Sequence, residues 1–577
     1  MSAIGPRAAA LLALGVMAAA CAPPRPAPVR PVEPEALAFD LPYPSPGVPR
    51  ERRLLFLEKA RDEMRRLSVD GLPDEQRTAA AAIAPAARAA AGRATGDEAV
   101  KDTEAVLDDC HGQWQRVGCE RAKLALQRVA LAYGVTLPAE LRARLRAKVG
   151  AAGAVPSEDA IAHPWTFRET ENQRIVSIAG NLVATAVAGD PDGDLARGWG
   201  DLALAFLAAH DRDGWYEAES PGYIATSMTA LLHLSDFAPQ PAVRRLAARE
   251  LSLLFADWAQ RQVGGFPAGP KSRTYLQWAL GASTTPWLGW AWLLGVREET
   301  ADVQFLDWPE LAASGYEVPA AVVRLLRERR RVPPYEIAVR RRIELKGRLS
   351  LDTALASYAT PDYVLGAAQS VDALRLAVSG GQEIVATLYV EGPRFAPLYL
   401  WSRTRNATSD RWRTRVRQDL AVGHRNAVLA RLGADGSATG HAYLAAAWSA
   451  PRVLPKERPG DCDVAVTRSG DTYAALLTVG GWEVAPAHQR FPAYYGRDFV
   501  DSWVVVPQRQ PADVALWVGR REKDGEIERW VERVRRARFY AGPGGLTLLL
   551  PPDAKEGFRR FFYLPGERAS VDGRPLD

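Results

Sequence analysis

VPAAVVRLLRERRRVPP, Val318 to Pro334, is the stretch that decides the fold, because the chain changes texture inside it. Up to Arg330 the apolar residues recur at helical spacing. Pro333 and Pro334 then stop the helix, since proline lacks the N–H a helix interior needs. Beyond them come short β-rich or alternating runs: Ile343-Glu-Leu-Lys-Gly, Ile384-Val-Ala-Thr-Leu-Tyr-Val, Tyr473-Ala-Ala-Leu-Leu-Thr-Val, Trp503-Val-Val-Val, Val514-Ala-Leu-Trp-Val and Leu546-Thr-Leu-Leu-Leu. Turn signals separate them: SGG at Ser379, GADG at Gly433, SGD at Ser469 and AGPGG at Ala541. Many short strands so punctuated predict a large antiparallel β-sandwich over residues 333–577.

Upstream the periodicity is helical. The spacing predicts helices over Glu51–Ser68, Ala79–Gly92 (with Pro85 inside), Arg121–Tyr133 and Pro138–Val149. Further helices follow over Asn172–Ala188, Ala196–Ala209, Ile224–Phe237, Ala242–Gln262, Tyr275–Leu294 and Val318–Arg330. No fixed repeat is visible, so helical hairpins wound into an (α/α) toroid over residues 51–332 fit better than a regular solenoid. The chain therefore reads as multidomain, α then β. Its 577 residues exceed one ordinary core.

The N-terminus carries an address. Arg7 is followed by the short apolar run Ala8 to Ala19, too short for a permanent span. MAAAC, Met17 to Cys21, resembles the bacterial lipobox, which implies a signal peptide over residues 1–20 and lipid attachment at Cys21. The Pro-rich APPRPAPVRPVEPEA that follows reads as an extended tether within residues 21–50. The expected location is the bacterial cell envelope, lipid-anchored at the outer membrane. In that oxidising setting Cys110 and Cys119 are spaced for a local disulfide, leaving Cys462 as a buried thiol. There is no CxxC or HExxH pattern to suggest a metal, and no cofactor is expected.

The net charge is +5, with 47% hydrophobic and 24% charged residues. Arginines such as Arg324, Arg327, Arg329 and Arg330 suit a solvated helix face and lack the interleaved aromatics of a nucleic-acid site. A mildly basic surface suits an acidic polymer instead.

Three segments could carry chemistry. DRDGWYEAESPGY, Asp211 to Tyr223, packs acids and aromatics into a loop between helices. TENQ, Thr170 to Gln173, lies upstream, and GPKSRTY, Gly269 to Tyr275, lies downstream. Helix packing is expected to bring them into one cleft. Asn172 and Gln173 either cap their helix or donate amide hydrogen bonds to a ligand. Tyr223 is either packed at a helix entry or a phenol able to serve as base and acid, its intrinsic pKa of about 10 lowered by a nearby cation. Arg273 supplies that cation, or else pairs with Glu217 or Glu219. Trp215, Glu217, Glu219, Lys271 and Tyr275 are candidate substrate-binding residues. Four acids, Asp211, Asp213, Glu217 and Glu219, leave open a glycoside hydrolase using two carboxylates.

The segment GWYEAESPGYIATSMTALLHLSDFAPQPAVRR, followed by ADWA and GPKSRTY, resembles heparinase II/III-like and related polysaccharide lyase-like proteins. SYATPDYVLGAAQ, Ser357 to Gln369, resembles a matching segment of that group. The resemblance covers roughly residues 160 to 430 and implies an (α/α) toroid followed by a β-sandwich. It implies β-elimination at a uronic acid of an acidic polysaccharide. Asn172 would neutralise the sugar carboxylate, Tyr223 would take and return the proton, and Arg273 would orient the substrate. The sequence departs from the pattern at Gln173, where a histidine is expected; glutamine donates a hydrogen bond but takes up no proton at working pH. His163, His210 or, from the sandwich, His424 in QDLAVGHRN would have to fill that role. That departure also keeps open a non-catalytic lipoprotein that binds glycan or supports envelope assembly.

Overall fold

The computed structural model describes residues 47–66, 74–92, 96–110, 119–165, 170–215, 217, 220–271, 286–298, 303, 305, 308–345, 349–370, 384–392, 396–404, 419–433, 438–445, 447–457, 462–490, 499–551, 559–564 and 569–576. The signal peptide, Cys21 and most of the tether lie outside them. No helix among the described residues is long and apolar enough to cross a membrane.

Helices fill the first half: α1 Arg50–Arg66, α2 Asp74–Ala90, α3 Gly96–Cys110, α4 Cys119–Arg128, α5 Ala139–Val149, α6 Glu158–Ala162, α7 Glu171–Ala188, α8 Asp194–Asp213, α9 Tyr223–Phe237 and α10 Pro241–Arg261. Then come α11 Pro286–Leu293, α12 Pro309–Ala313 and α13 Ala320–Glu328. Local chemistry sets the ends. The Ser157 hydroxyl accepts the Ala160 amide at the start of α6 (3.2 Å), and α10 opens on Pro241, whose missing N–H has no role in a first turn. Gly189 ends α7 at φ 84°, a conformation that a Cβ would disfavour. Cys110 and Cys119 form a disulfide across the end of α3 and the start of α4, with Cα atoms 5.4 Å apart, and Cys462 is a buried cysteine outside that disulfide.

The helical region closes on itself. Arg52 Nε of α1 donates to the Trp292 carbonyl of α11 at 2.6 Å, and Phe56 packs against Trp292 and Phe305. The result is an (α/α) toroid with a core running from Phe56 to Leu326. Within it α7 and α9 lie side by side and parallel, with α8 returning between them in the chain. Their N-termini, the end of α8 and the end of α10 therefore share one end of the ring.

The last helical turn, Arg329–Arg331, gives way to strand at Tyr335. An eight-stranded antiparallel sheet has the order β14-β15-β10-β7-β6-β5-β4-β3. Its strands are β3 Tyr335–Leu345, β4 Leu349–Ala359, β5 Tyr363–Ser370, β6 Ala386–Val390, β7 Ala396–Thr404, β10 Ala438–Ala445, β14 Trp482–Arg490 and β15 Phe499–Pro507. A six-stranded sheet, β11-β12-β13-β16-β9-β8, packs against it. It comprises β8 Leu420–His424, β9 Ala427–Leu432, β11 Arg452–Leu454, β12 Asp463–Ser469, β13 Thr472–Thr478 and β16 Ala512–Arg520. The hairpin β1 Gln262–Val263 and β2 Phe266–Pro267 belongs to the helical half.

Alternation along β7 explains the layering. Leu398 and Leu400 enter the core between the sheets, while Tyr399 and Trp401 point the other way, into a cluster with Val263 and Ala268 of the helical half. The outer face of the six-stranded sheet is covered by α15 Ile527–Arg536 and a five-stranded meander of β17 Arg538–Gly542, β18 Gly545–Leu550, β19 Arg559–Tyr563, β20 Ala569–Val571 and β21 Arg574–Pro575. The short helix α14 Arg521–Asp524 links β16 to α15. This added layer goes beyond the plain sandwich expected from the sequence. α15 buries Trp530, Val531 and Val534 at helical spacing, while Arg529 and Arg536 are exposed.

Candidate functional site

The sandwich-facing end of the toroid gathers the three chemistry-bearing segments. TENQ and the acidic loop are joined by a reciprocal exchange between two buried glutamates. Glu171 Oε2 accepts the Glu217 amide at 2.8 Å, and Glu217 Oε2 accepts the Asn172 amide at 3.0 Å. The second bond satisfies one of the free N–H groups at the start of α7. It also brings the loop carrying Tyr223 against the helix carrying Asn172.

The third segment joins through the sandwich. A Cβ on Gly214 would sit 2.6 Å from Arg341 Nη1 of β3. Arg341 Nη2 donates to Asp257 Oδ2 at 3.1 Å, and Arg261 pairs with the same oxygen. Burial alone would raise the Asp257 carboxyl; the charges of Arg261 and Arg341 outweigh it and hold the group below its ordinary value. Gly269 then lies against Arg261 and the Ser357 hydroxyl, and Pro270 lies against Gly366. Lys271 and Ile384 exchange backbone hydrogen bonds at 3.2 and 2.9 Å. GPK and SYATPDYVLGAAQ, remote in sequence, thus touch at the junction.

Individual side chains differ from the sequence reading in instructive ways. Asn172 is nearly buried, and its Oδ1 accepts the Thr170 hydroxyl at 2.6 Å. Among the described residues no acceptor meets its Nδ2. Gln173 is exposed and completes a capping box with Thr170, which is the capping alternative for that residue. Tyr223 is half-buried at the first position of α9, its amide donating to the Ser220 hydroxyl at 3.3 Å.

Trp215 and Glu217 were expected to meet substrate, and burial corrects both. Trp215 is 2% exposed and its Nε1 donates to Glu250 Oε2 at 2.8 Å. Glu217 is equally buried and spends its carboxylate on the Asn172 amide. Lys271 is buried as well, its Nζ lying 5.3 Å from the Tyr389 ring centroid, so it belongs to the junction and not to an open surface. His424 does not reach the junction. Its Nδ1 lies 3.1 Å from Glu336, and its ring faces Phe561 of the added meander. Alternation on β3 explains this: Tyr335 and Arg341 face the helices, so Glu336 faces the opposite way. Asp213 and Asp211 pair with Arg212 and Arg249, the latter at 2.8 Å. Glu219, Arg273 and Tyr275 lie outside the described residues.

Sequence reasoning missed Glu171 and Glu250. Glu250, on α10, is 1% exposed, and its Oε1 has no hydrogen-bond partner among the described residues. Burial pushes its carboxyl up to about 7, against the opposing Trp215 hydrogen bond and the charge of His210. The signal was an acid lying among Leu246, Ala247, Leu251 and Leu254 on the buried face of α10.

No known family model matches the chain, and no curated protein matches it. In layout it is similar to solved polysaccharide lyases. A mutant chondroitin AC lyase from Streptomyces coelicolor A3 shares 12% identity over 93% of this chain and 91% of that one, at TM-score 0.40. The heparan sulfate lyase HepC of Pedobacter heparinus shares 10% identity over 93% and 92%, at 0.32. A heparinase III shares 9% over 92% and 94%, at 0.33.

Proposed function

We propose that the protein is a polysaccharide lyase that cleaves a uronic-acid-containing polysaccharide by β-elimination, with Tyr223 as base and then acid. The observation that carries this reading is the pairing of two parallel helix N-termini. α7 presents the Asn172 amide, whose Nδ2 meets no described acceptor, and α9 presents the half-buried Tyr223 phenol. The Glu171–Glu217 exchange holds the two segments together. An amide donor on the uronate carboxylate acidifies the adjacent C–H, because it stabilises the charge that develops there when the proton leaves. Tyr223 removes that proton, the C–O bond to the leaving sugar breaks, and the phenol returns the proton to the departing oxygen. Arg273 orients the carboxylate.

A lipid on Cys21 tethers the chain to the outer membrane. The residues before Cys21 and the Pro-rich stretch after it support this. Radiolabelled fatty acid incorporated by the wild type and not by Cys21→Ser tests it.

The catalytic reading is tested by incubating purified protein with a panel of polyuronates and glycosaminoglycans. Absorbance of the unsaturated uronide, abolished in Tyr223→Phe, is the expected result. New reducing ends without that absorbance would favour hydrolysis. The exposed, cap-forming Gln173 stands where the resemblance calls for a histidine, and this favours a second reading, a binding-only glycan receptor. Saturable binding with no turnover would select it.

A further inference from the structure

His210 sits on α8, 4% exposed, one helix away from the proposed reacting groups. Both ring nitrogens face oxygen acceptors. Nδ1 is 2.8 Å from the Phe206 carbonyl, and Nε2 is 2.8 Å from Glu171 Oε1, itself fully buried. A backbone carbonyl only accepts, so Nδ1 carries a hydrogen. The contact between Nε2 and the carboxylate then holds only if one further proton lies between them. Without it two lone pairs face each other in a site walled by Phe206, Trp215 and Trp165, with ring centroids at 4.2, 4.3 and 5.6 Å. The other oxygen of Glu171 holds the Glu217 amide, and Glu217 holds the start of α7.

We propose that Glu171 and His210 form a proton-held clasp, with His210 a positioning residue that fixes the Gly214–Gly222 loop and, through it, Tyr223. The link to Tyr223 rests on the lyase reading; the clasp does not. Among the described residues the charged groups around His210 are Glu171 from α7, Glu217 from the loop and Glu250 from α10, with the Asp211–Arg249 pair beside Glu250 and Arg341 from β3 at Gly214. Burial alone would lower the His210 pKa. The hydrogen bond and charge of Glu171 outweigh it, and the net direction is up from 6.5. A histidine raised in the folded state contributes stability that is complete below its unfolded value and is lost as pH rises through the folded one. The clasp therefore weakens as pH rises from the unfolded value through the folded one. Between the two values, opening becomes about tenfold more favourable per pH unit, because one proton is released.

Glu171→Gln separates the proton from the geometry. The glutamine oxygen still accepts the Glu217 amide, while its amide hydrogen donates to a neutral His210 Nε2, so no titrating proton is needed. Amide exchange of Glu217 and Asn172, corrected for intrinsic rate, is compared at about pH 6 and about pH 9. Wild type should lose protection across that range, and Glu171→Gln should stay flat. Equal protection of wild type at both pH values overturns the proposal, as does a Glu171→Gln variant that falls with the wild type. Should the variant not fold, the ring nitrogen shifts of His210 in wild type decide: loss of its proton at or below about pH 6.5 overturns the clasp. Normal clasp behaviour with no unsaturated product on any glycan would sink the lyase reading and leave the clasp standing.

Discussion

Glu171 and Glu217 each hold the other's stretch of backbone: Glu171 Oε2 accepts the Glu217 amide at 2.8 Å, and Glu217 Oε2 accepts the Asn172 amide at 3.0 Å. Two buried carboxylates here serve as acceptors for main-chain N–H groups, which ties the acidic segment to the start of α7. Glu217→Ala strands the Asn172 N–H in a buried position and should cost about 1–3 kcal/mol, as an unsatisfied buried donor does. Glu217→Gln keeps an acceptor oxygen and should lose less. Urea midpoints measure both, and an alanine variant as stable as wild type would disprove the exchange.

Tyr223→Phe removes one oxygen from a half-buried side chain. Product formation on the preferred glycan should fall about 10²–10⁴-fold, the size of a lost general base, with KM little altered. A loss confined to KM would make Tyr223 a binding group and move the base elsewhere.

Glu250 gives a stability effect of opposite sign. Its carboxyl is raised from 4.5 to about 7 by burial, so the folded protein prefers it protonated. For such an acid, stability is greatest below the unfolded value and declines as pH rises towards the folded one. The decline approaches about 3 kcal/mol by neutral pH, before any relaxation around the ion. Glu250→Gln keeps an oxygen for Trp215 Nε1 and carries no charge. Its melting temperature should exceed the wild type's at about pH 8 and match it near about pH 4. A variant less stable at both would mean that the ionised carboxylate holds the site together.

The order of helices and then strands was legible because it rests on periodicity and on Pro333 and Pro334, both local properties. Helix ends shifted by a few residues: α8 runs on to Asp213, so the loop is Gly214–Gly222 and not the whole of Asp211–Tyr223. The added layer was also partly legible, since Ile527, Trp530, Val531 and Val534 have helical spacing in a half otherwise read as strands. The site was less so. Trp215 and Glu217 looked like ligand groups because loop acids and aromatics often are, and nothing local says that Glu250 and Asn172 will cover them. Glu171 went unread for the same reason, its partner lying 39 residues away at His210.

Asp257 is the hinge between the two halves of the chain. It pairs with Arg261 on its own helix and with Arg341 on β3, while Lys271 adds a third nearby positive charge. Its folded pKa is lowered, so its contribution is present above the unfolded value and is lost as pH falls through the folded one. Asp257→Asn should cost about 3 kcal/mol at neutral pH, because removing one partner leaves charges facing each other in a largely closed junction. Arg341→Met alone leaves Asp257 still paired with Arg261 and should cost less. Combined, the two changes should be less harmful than their sum, since without Arg341 the missing carboxylate leaves one fewer uncompensated cation. Calorimetry on the four proteins of this cycle measures the coupling. Strict additivity would mean that Asp257 and Arg341 are neighbours without an energetic link, and that the helical and β halves are held together by the apolar contacts of Val263, Ala268, Tyr399 and Trp401 and by hydrogen bonds such as the Lys271–Ile384 pair.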